Sequence, residues 1–266
     1  MSDNPDESVR YQVKDAIATI ELNRPARRNA LNRDAYARLE DAFRRAAADP
    51  EAICIILTGA DPAFCSGDDV DEILSSAAKT VKEAFGVVRH QPTPAALAAL
   101  ECDKPVIAAV NGPAVGWGME LALYADIRIA SERAKFAELF IKRGLICDLG
   151  GFYRLPAIVG YAKAAELLFT GDVIDALEAK AIGLVSEVVP HGSLLERTRV
   201  LATRIAGNPP LALRYMKEGL RRATYGDPRD IGNWATDTLY RLMQTEDHRE
   251  GVASFIEKRL PVFRGR

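Results

Sequence analysis

The sequence predicts an α/β fold built on a mainly parallel sheet. Short apolar runs between turn residues, such as 53–57 and 106–110, are typical of buried strands because they are too short for helices. Segments with helical periodicity separate these runs, which favours crossover connections and parallel pairing. Only helical patterns follow Pro190, so we expect a core at residues 9–190 and a helical region at 191–266.

The chain opens with residues 1–8, which are polar and acidic and are predicted to be disordered. Two β-rich runs at 9–13 and 17–22 flank Lys14 and Asp15, and this pattern predicts a hairpin. The sequence shows neither an apolar leader nor an apolar run of about 20 residues, so no membrane span is expected. The four cysteines are scattered without metal-ligand spacing, which favours free thiols, a cytoplasmic location and no metal site.

A basic loop and a long helix come next. The loop contains Arg27 and Arg28, and Asn32 or Asp34 can cap a helix that runs to about Ala48. Its apolar positions share one face and are Tyr36, Leu39 and Phe43.

After the strand at 53–57, a helical stretch is predicted to start at Asp71, and another, interrupted at Pro92 and Pro94, to end at Glu101. The later predicted elements are a strand at 126–130, helices at 161–169 and 176–182, an apolar run at 184–189, and helices near 193–206, 210–224, 230–245 and 247–256.

The central segment, residues 104–130, places a glycine-rich turn between a buried strand and a helix. Gly116 and Gly118 flank Trp117 in this turn. Glycines let the backbone approach a ligand closely, and the first N–H groups of a helix have no internal partner. With the helix dipole behind them, these N–H groups are suited to hold a negative oxygen. Glu120 adds a carboxylate beside that turn, although an ordinary first-turn acid explains it equally well.

A second loop repeats this arrangement. Ser66, Gly67 and Asp68 follow the strand at 53–57, as the glycine-rich turn follows the strand at 106–110. Ligands of parallel sheets bind beyond the carboxyl ends of the strands, where both loops lie. Two backbone N–H groups that converge there would form an oxyanion hole.

Several segments resemble the enoyl-CoA hydratase/isomerase (crotonase) family. Residues 63–70, AFCSGDDV, are similar to its first oxyanion-hole motif, and residues 107–123 are similar to the second. The motif LNRP at 22–25 with NAL at 29–31, and FIEKRLPVFRGR at 255–266, resemble the family as well. The chain is identified as a member because these linked motifs occur in order over nearly its whole length.

The resemblance implies a crotonase-like spiral of ββα units with a helical C-terminal trimerisation region, assembled as a homotrimer or a dimer of trimers. It also implies an acyl-CoA substrate whose thioester carbonyl accepts hydrogen bonds from the backbone N–H groups of Asp68 and Trp117, which stabilises an enolate. Small residues are commoner at both positions in the family. The Asp68 charge would be unhelpful unless it points away, and Trp117 either narrows the acyl pocket or serves packing alone. No cofactor is implied beyond the coenzyme A of the substrate.

The acid–base residues decide the reaction. Glu120 matches the first glutamate of the family's hydratases, whereas Phe140 stands in place of the second, and Glu138, two residues earlier, is not assigned that role. Asp148 matches the catalytic aspartate of several double-bond isomerases and the nucleophile of the 4-chlorobenzoyl-CoA dehalogenase. Two carboxylates around one acyl chain could move a proton between carbons. The alternative role for Asp148 is to cap a helix that begins near Gly150.

Basic residues are the expected coenzyme A ligands. Arg27 and Arg28 can bind its phosphates, although a solvated basic loop explains them nearly as well. By resemblance, Lys258 is expected to reach the coenzyme A of a neighbouring subunit. The other predicted substrate contacts are Ser66, Gly67, Gly116 and Phe140.

The sequence therefore favours an enzyme that acts on an unsaturated acyl-CoA, with isomerisation slightly ahead of hydration. An acyl-CoA thioester or C–C hydrolase on the same scaffold is an alternative, and so is a non-catalytic protein that binds RNA or acts as a scaffold. The net charge of -2, without a dense basic stripe, counts against RNA, which needs phosphate neutralisation. The presence of both Glu120 and Asp148 counts against an inactive protein.

Overall fold

The computed structural model describes residues 7–74, 92–224 and 226–266. Residues 1–6 of the segment predicted to be disordered lie outside these ranges. Of the helical stretch predicted after the first loop, a π-helical turn at Val70–Leu74 is described, and the part beyond it is not.

The core of the fold is a parallel sheet with an antiparallel edge. The strands are β1 (Val9–Lys14), β2 (Ile17–Leu22), β3 (Cys54–Gly59), β4 (Val106–Val110), β5 (Ala114–Val115), β6 (Ile127–Ser131), β7 (Lys135–Ala137), β8 (Ile174–Asp175) and β9 (Glu187–Val189). Within the described ranges the larger sheet has the order β1-β2-β3-β4-β6-β9, and a smaller sheet has the order β5-β7-β8. The first pair is the predicted hairpin, and the other neighbours in the larger sheet run parallel. Both predictions are confirmed.

The helices surround these sheets. They are α1 (Arg33–Ala48), α2 (Pro94–Glu101), α3 (Trp117–Tyr124), α4 (Leu155–Val159), α5 (Tyr161–Thr170), α6 (Ala176–Ala181), α7 (Leu194–Ala206), α8 (Pro210–Ala223), α9 (Pro228–Met243) and α10 (Glu246–Glu257). Asn32 caps α1 by accepting from the Ala35 N–H. Residues 92 and 93 are not helical, and the part of the predicted stretch before residue 92 lies outside the described ranges. Pro94 opens α2, because a first-turn proline needs no acceptor and Thr93 supplies the cap.

Strand β3 packs against apolar side chains on both faces of the sheet. Successive side chains of a strand point to opposite faces, and all of β3 is buried. Ile55 and Leu57 belong to the core that includes α1, α2 and α3, while Ile56 belongs to a second cluster with Leu194 and Ala202 of α7. A continuous apolar run is therefore the sequence pattern of this central strand.

A buried lysine joins the C-terminal helices to the sheet. Lys217 of α8 donates through Nζ to the carbonyl of Lys104 at 2.7 Å and pairs with the Asp126 carboxylate at 2.7 Å. The same carboxylate oxygen accepts from the Val106 N–H at 2.8 Å, at the start of β4. The helical region is thus held against the core by a specific charge pair. None of the helices described is long and apolar enough to cross a membrane.

Candidate active site

The two predicted loops pack directly against each other. The Val115 N–H donates to the Cys65 carbonyl at 2.9 Å. A Cβ on Gly118 would lie 2.1 Å from that same carbonyl oxygen, and a Cβ on Gly67 would lie 3.3 Å from the Trp117 nitrogen. Gly67 also has φ of +87°, a conformation that favours glycine. Both glycines are therefore required for the loops to approach this closely.

The predicted oxyanion residues Asp68 and Trp117 lie on neighbouring loops that border one cavity. Trp117 is the first residue of α3, so its N–H has no acceptor within the helix. Leu31 donates to the Gly67 carbonyl and accepts from the Asp69 N–H, which turns the N–H of Asp68 to the opposite side. A cavity of about 60 Å³ opens between the loops. Six of the predicted residues line it: Ser66, Gly67, Asp68, Gly116, Trp117 and Phe140.

The side chain of Asp68 is directed by a tyrosine. The Tyr36 hydroxyl of α1 donates to Asp68 Oδ1 at 2.8 Å. The Asp68 carboxylate, whose charge could oppose a thioester oxygen, is thus held by a hydrogen bond from α1. The sequence placed Tyr36 on an apolar helix face and gave it no part in the site. Its hydroxyl group could have indicated a polar contact at the site, because a buried tyrosine usually needs a hydrogen-bond partner.

The Trp117 side chain has both an apolar and a polar contact. Its ring packs edge-on against Tyr36, with centroids 4.8 Å apart, and against Tyr124 at 6.1 Å. Its indole Nε1–H donates to Asp148 Oδ2 at 3.1 Å. Trp117 therefore fills the interior and also fixes the position of a carboxylate.

Glu120 is fully enclosed, with 0% of its surface exposed. Its Oε1 accepts from the N–H groups of Asp148 at 2.6 Å and Gly151 at 3.2 Å, while Oε2 has no partner in the described parts of the chain. A Cβ on Gly150 would lie 2.6 Å from the Glu120 Cβ, so only glycine permits this contact. Burial, reinforced by the Asp148 charge, raises the pKa of Glu120 to about 8.

Asp148 is 5% exposed and lies directly against Glu120. Its two oxygens accept from the indole of Trp117 and from the N–H of Leu149. The N-cap residue of the π-helical turn Gly150–Arg154 is Leu149. Asp148 lies one residue before it and does not occupy the N-cap position.

A third carboxyl group, Glu138, lies beside these two. It follows β7 immediately, is 1% exposed, and has no hydrogen-bond partner for either oxygen among the residues described. Burial raises its pKa well above the usual range, and the charges of Glu120 and Asp148 act in the same direction. The sequence left Glu138 unassigned, although a glutamate directly after the apolar Phe136 and Ala137 signals a buried acid.

The thiols near the site have no catalytic character. Burial raises the pKa of Cys65 and of Cys147 to about 12, so neither forms a thiolate near neutral pH. Packing explains both. Across the described ranges, no group of cysteine, histidine and acidic residues is arranged to hold a metal ion.

The basic residues lie at different distances from the cavity. The Ser66 N–H donates to the Arg28 carbonyl at 3.1 Å, so the basic loop borders the loop that carries Ser66 and Gly67. The Arg27 side chain is 59% exposed and pairs with Asp71 at 2.7 Å. Lys258 ends α10 in a left-handed conformation and is exposed, and it does not line the cavity.

The glycine loops and the enclosed carboxyl groups are joined through Trp117, which borders the cavity and whose indole contacts Asp148. The chain matches the sequence profile of the enoyl-CoA hydratase/isomerase family over residues 12–266. It belongs to that family and is an enzyme that acts on acyl-CoA.

Similar proteins from bacteria cover nearly the same length. The crotonyl-CoA hydratase of Syntrophomonas wolfei is 37% identical over 254 residues, which span 95% of this chain and 96% of that protein. The 1,2-epoxyphenylacetyl-CoA isomerase of Escherichia coli is 33% identical over 260 residues, 98% of this chain and 99% of that protein. The solved enoyl-CoA hydratase of Bacillus anthracis has a TM-score of 0.90 at 32% identity and covers 97% of this chain and 100% of its own. The predicted crotonase fold is confirmed.

Proposed function

We propose that this enzyme moves a carbon–carbon double bond along the chain of an unsaturated acyl-CoA, in preference to adding water. The observation that carries this proposal is the set of acidic groups. Phe140 lines the cavity at the position of the second glutamate of the family's hydratases, whereas Glu120 and Asp148 are joined by a hydrogen bond from the Asp148 N–H to Glu120 Oε1 at 2.6 Å. A phenyl ring cannot activate water, but two carboxyl groups can exchange a proton with a substrate.

The oxyanion hole would act on the thioester. The N–H groups of Asp68 and Trp117 would donate to its carbonyl oxygen, which becomes negative when a neighbouring C–H is deprotonated. A single donor of this kind is worth roughly 10²–10³ in rate. Arg27 and Arg28 border the same loop and are suited to the phosphates of coenzyme A.

We give the two carboxyl groups opposite roles. Both oxygens of Asp148 accept an N–H, whereas Glu120 Oε2 has no partner among the described residues, so we assign Asp148 the base that removes a proton from the carbon next to the thioester. The electron pair moves into the carbonyl and forms a dienolate held by the oxyanion hole. Glu120, whose pKa burial raises to about 8, carries the proton that is delivered to the γ carbon. The double bond then lies between the α and β carbons, and no atom is gained or lost.

Replacement of Asp148 by Asn tests this function. If Asp148 is the base, conversion of a 3-enoyl-CoA should fall by roughly 10²–10⁴ while thioester binding is little changed. Products are resolved by NMR and mass, and a 2-enoyl-CoA is offered in parallel to measure hydration. The matched control is Asp175→Asn, which alters an exposed aspartate that caps α6 and should leave turnover unchanged. Near-normal turnover of Asp148→Asn would remove Asp148 from the mechanism, and faster hydration than isomerisation in the unmodified enzyme would contradict the proposal.

We also propose that the chain assembles as a trimer or a dimer of trimers. Large apolar side chains of the C-terminal region are exposed in the single chain, among them Leu220, Phe255, Ile256 and Leu260. Exposed apolar surface of this extent is typical of an interface. Light scattering that reports a monomer at micromolar concentration would contradict this.

A further inference from the structure

A second cavity, of about 260 Å³, opens beside the C-terminal end of α3. The described residues that line it differ from those that line the cavity between the glycine loops. Its charged lining residues are Asp126, Arg154 and Arg221. The proposed isomerisation uses none of these three side chains, so the cavity is a candidate for a separate ligand.

Both arginines are held by backbone carbonyls at the ends of helices. Arg154 donates through Nε to the Leu123 carbonyl at 3.0 Å, near the end of α3. Arg221 donates through Nη2 to the Cys102 carbonyl at 2.6 Å, at the end of α2. A guanidinium group has five N–H donors, so most donors of each arginine remain for another acceptor. Across the described ranges, neither arginine forms an ion pair with a carboxylate.

The charges beside the cavity do not balance. Asp126 is paired with Lys217 at 2.7 Å, so its charge is already compensated. Arg128 is buried and adds a third guanidinium group, because its Nη1 and the Nη2 of Arg154 donate to the same Ala125 carbonyl, at 2.7 Å and 3.5 Å. The ends of α2 and α3 contribute only about half a negative charge each. The surplus charge around the cavity is therefore positive.

The acids on the solvent side of Arg221 do not remove this surplus. Three acids border a surface groove together with Arg221, and they are Glu101, Asp103 and Glu218. Asp103 pairs with Arg214 at 3.5 Å. Glu218 pairs with Arg222 at 2.5 Å. Glu101 is exposed and forms no ion pair with Arg221 in the part of the chain that the structure describes.

An anion in this cavity would supply the missing charge, and the other walls indicate which kind. These walls offer apolar and aromatic surface and are formed by Leu100, Tyr124, Leu149 and Tyr153. A carboxylate matches the geometry of guanidinium groups, and an apolar or aromatic body attached to it would contact these walls. Pockets for drug-sized ligands have roughly 300–1,000 Å³, so the ligand of this smaller cavity should be small.

We propose that this cavity binds a small organic carboxylate, whose oxygens accept from Arg154 and Arg221. Two sources carry this chemistry: a free acid, or the far end of the acyl group of a coenzyme A thioester. The second source is included because the ring of Tyr124 lies 6.1 Å from that of Trp117, beside the candidate active site. Binding to this cavity does not require the proposed isomerisation.

Calorimetric titration of the purified enzyme tests the proposal with benzoate as the probe. Benzoate should bind with saturation at one site per chain. Benzamide, which has a similar shape without the charge, should bind at least about tenfold more weakly. Inorganic phosphate, which has no apolar body, should also bind more weakly than benzoate. Equal binding of benzamide, or tighter binding of phosphate, would overturn the proposal of a carboxylate site.

Variants locate the binding in this cavity. Arg221→Gln keeps a donor for the Cys102 carbonyl and removes the charge, so benzoate should bind at least about tenfold more weakly, whereas Arg221→Lys should retain part of the affinity. Leu100→Trp fills the cavity, leaves both arginines in place and should also abolish binding. The control is Arg229→Gln on α9, where the side chain is 90% exposed and benzoate binding should be unchanged. Thermal unfolding shows whether each variant is folded.

A pair of thioesters distinguishes the two sources. Glutaryl-CoA and pentanoyl-CoA have acyl groups of equal length, and only the first ends in a carboxylate. If the acyl group reaches the cavity, Arg221→Gln should weaken the binding of glutaryl-CoA and leave that of pentanoyl-CoA unchanged. If the ligand is a free acid, the binding of benzoate should fall while both thioesters keep their affinities. An Arg221→Gln variant that binds benzoate and glutaryl-CoA as tightly as the unmodified enzyme would overturn the proposal.

Discussion

Trp117→Phe is the most informative substitution in this site. It keeps the backbone N–H at the proposed oxyanion hole and leaves an aromatic ring between Tyr36 and Tyr124, but it removes the indole donor to Asp148. The bond is 3.1 Å long and its acceptor is 5% exposed, so solvent cannot readily replace it. Hydrogen bonds to charged groups are worth about 1.5–3 kcal/mol, which corresponds to roughly 10- to 10²-fold in rate.

The loss should appear in kcat for double-bond isomerisation, because the indole orients the base and does not bind the coenzyme A. KM should change by less than about threefold. Trp234→Phe is the matched control, since this other tryptophan lies on α9 under the Arg222 guanidinium. It should leave kcat unchanged.

A double-mutant cycle sharpens the assay. If Trp117 acts through Asp148, the phenylalanine substitution should have little further effect in an Asp148→Asn background. Full activity of Trp117→Phe, or the same loss in both backgrounds, would refute the positioning role of the indole.

Two further predictions concern packing and pH. Gly118→Ala should destabilise the fold by about 3 kcal/mol, because the added Cβ would lie 2.1 Å from the Cys65 carbonyl oxygen. The control is Gly232→Ala, where the added Cβ would have no atom within 4 Å and the melting temperature should be unchanged or higher. Equal melting temperatures of the two variants would contradict this. The raised pKa of Glu120, about 8 against an ordinary 4.5, means that the folded state keeps a proton that the unfolded chain releases. Stability should therefore fall as pH rises from about 4.5 to about 8, by up to about 1.4 kcal/mol per pH unit, and Glu120→Gln should reduce this slope in urea unfolding. An unchanged slope would show that Glu120 titrates normally.

The sequence predicted the parallel sheet because its strands are buried runs with clear ends. Residues 17–22 and 106–110 match β2 and β4 in full. The short strands β5, β7 and β8 were not predicted, since two or three residues carry no periodicity. These strands nevertheless position the site, because β5 leads into the glycine-rich turn before α3 and β7 leads to Glu138.

The hydrogen-bond and packing partners of the site residues could not be predicted from the sequence, for a similar reason. The motifs identified Asp68, Trp117 and Asp148. They did not show that the hydroxyl of Tyr36, 32 residues from Asp68, donates to Asp68, or that the Trp117 indole donates to Asp148. Such contacts depend on how α1 packs against two loops from different parts of the chain. Spacing along a sequence does not encode them.

The two unusual residues of the glycine loops, Asp68 and Trp117, share one partner, Tyr36. Where small side chains are commoner in the family, Asp68 needs a donor to hold its charge, and Trp117 needs an aromatic cage. Tyr36 supplies both, with its hydroxyl on Asp68 and its ring against Trp117. The cage fixes the indole, and the indole fixes Asp148. The backbone that would hold the thioester oxygen is therefore linked through the Trp117 side chain to the carboxylate that would remove the proton, and enolate formation needs these two groups in a fixed relative position.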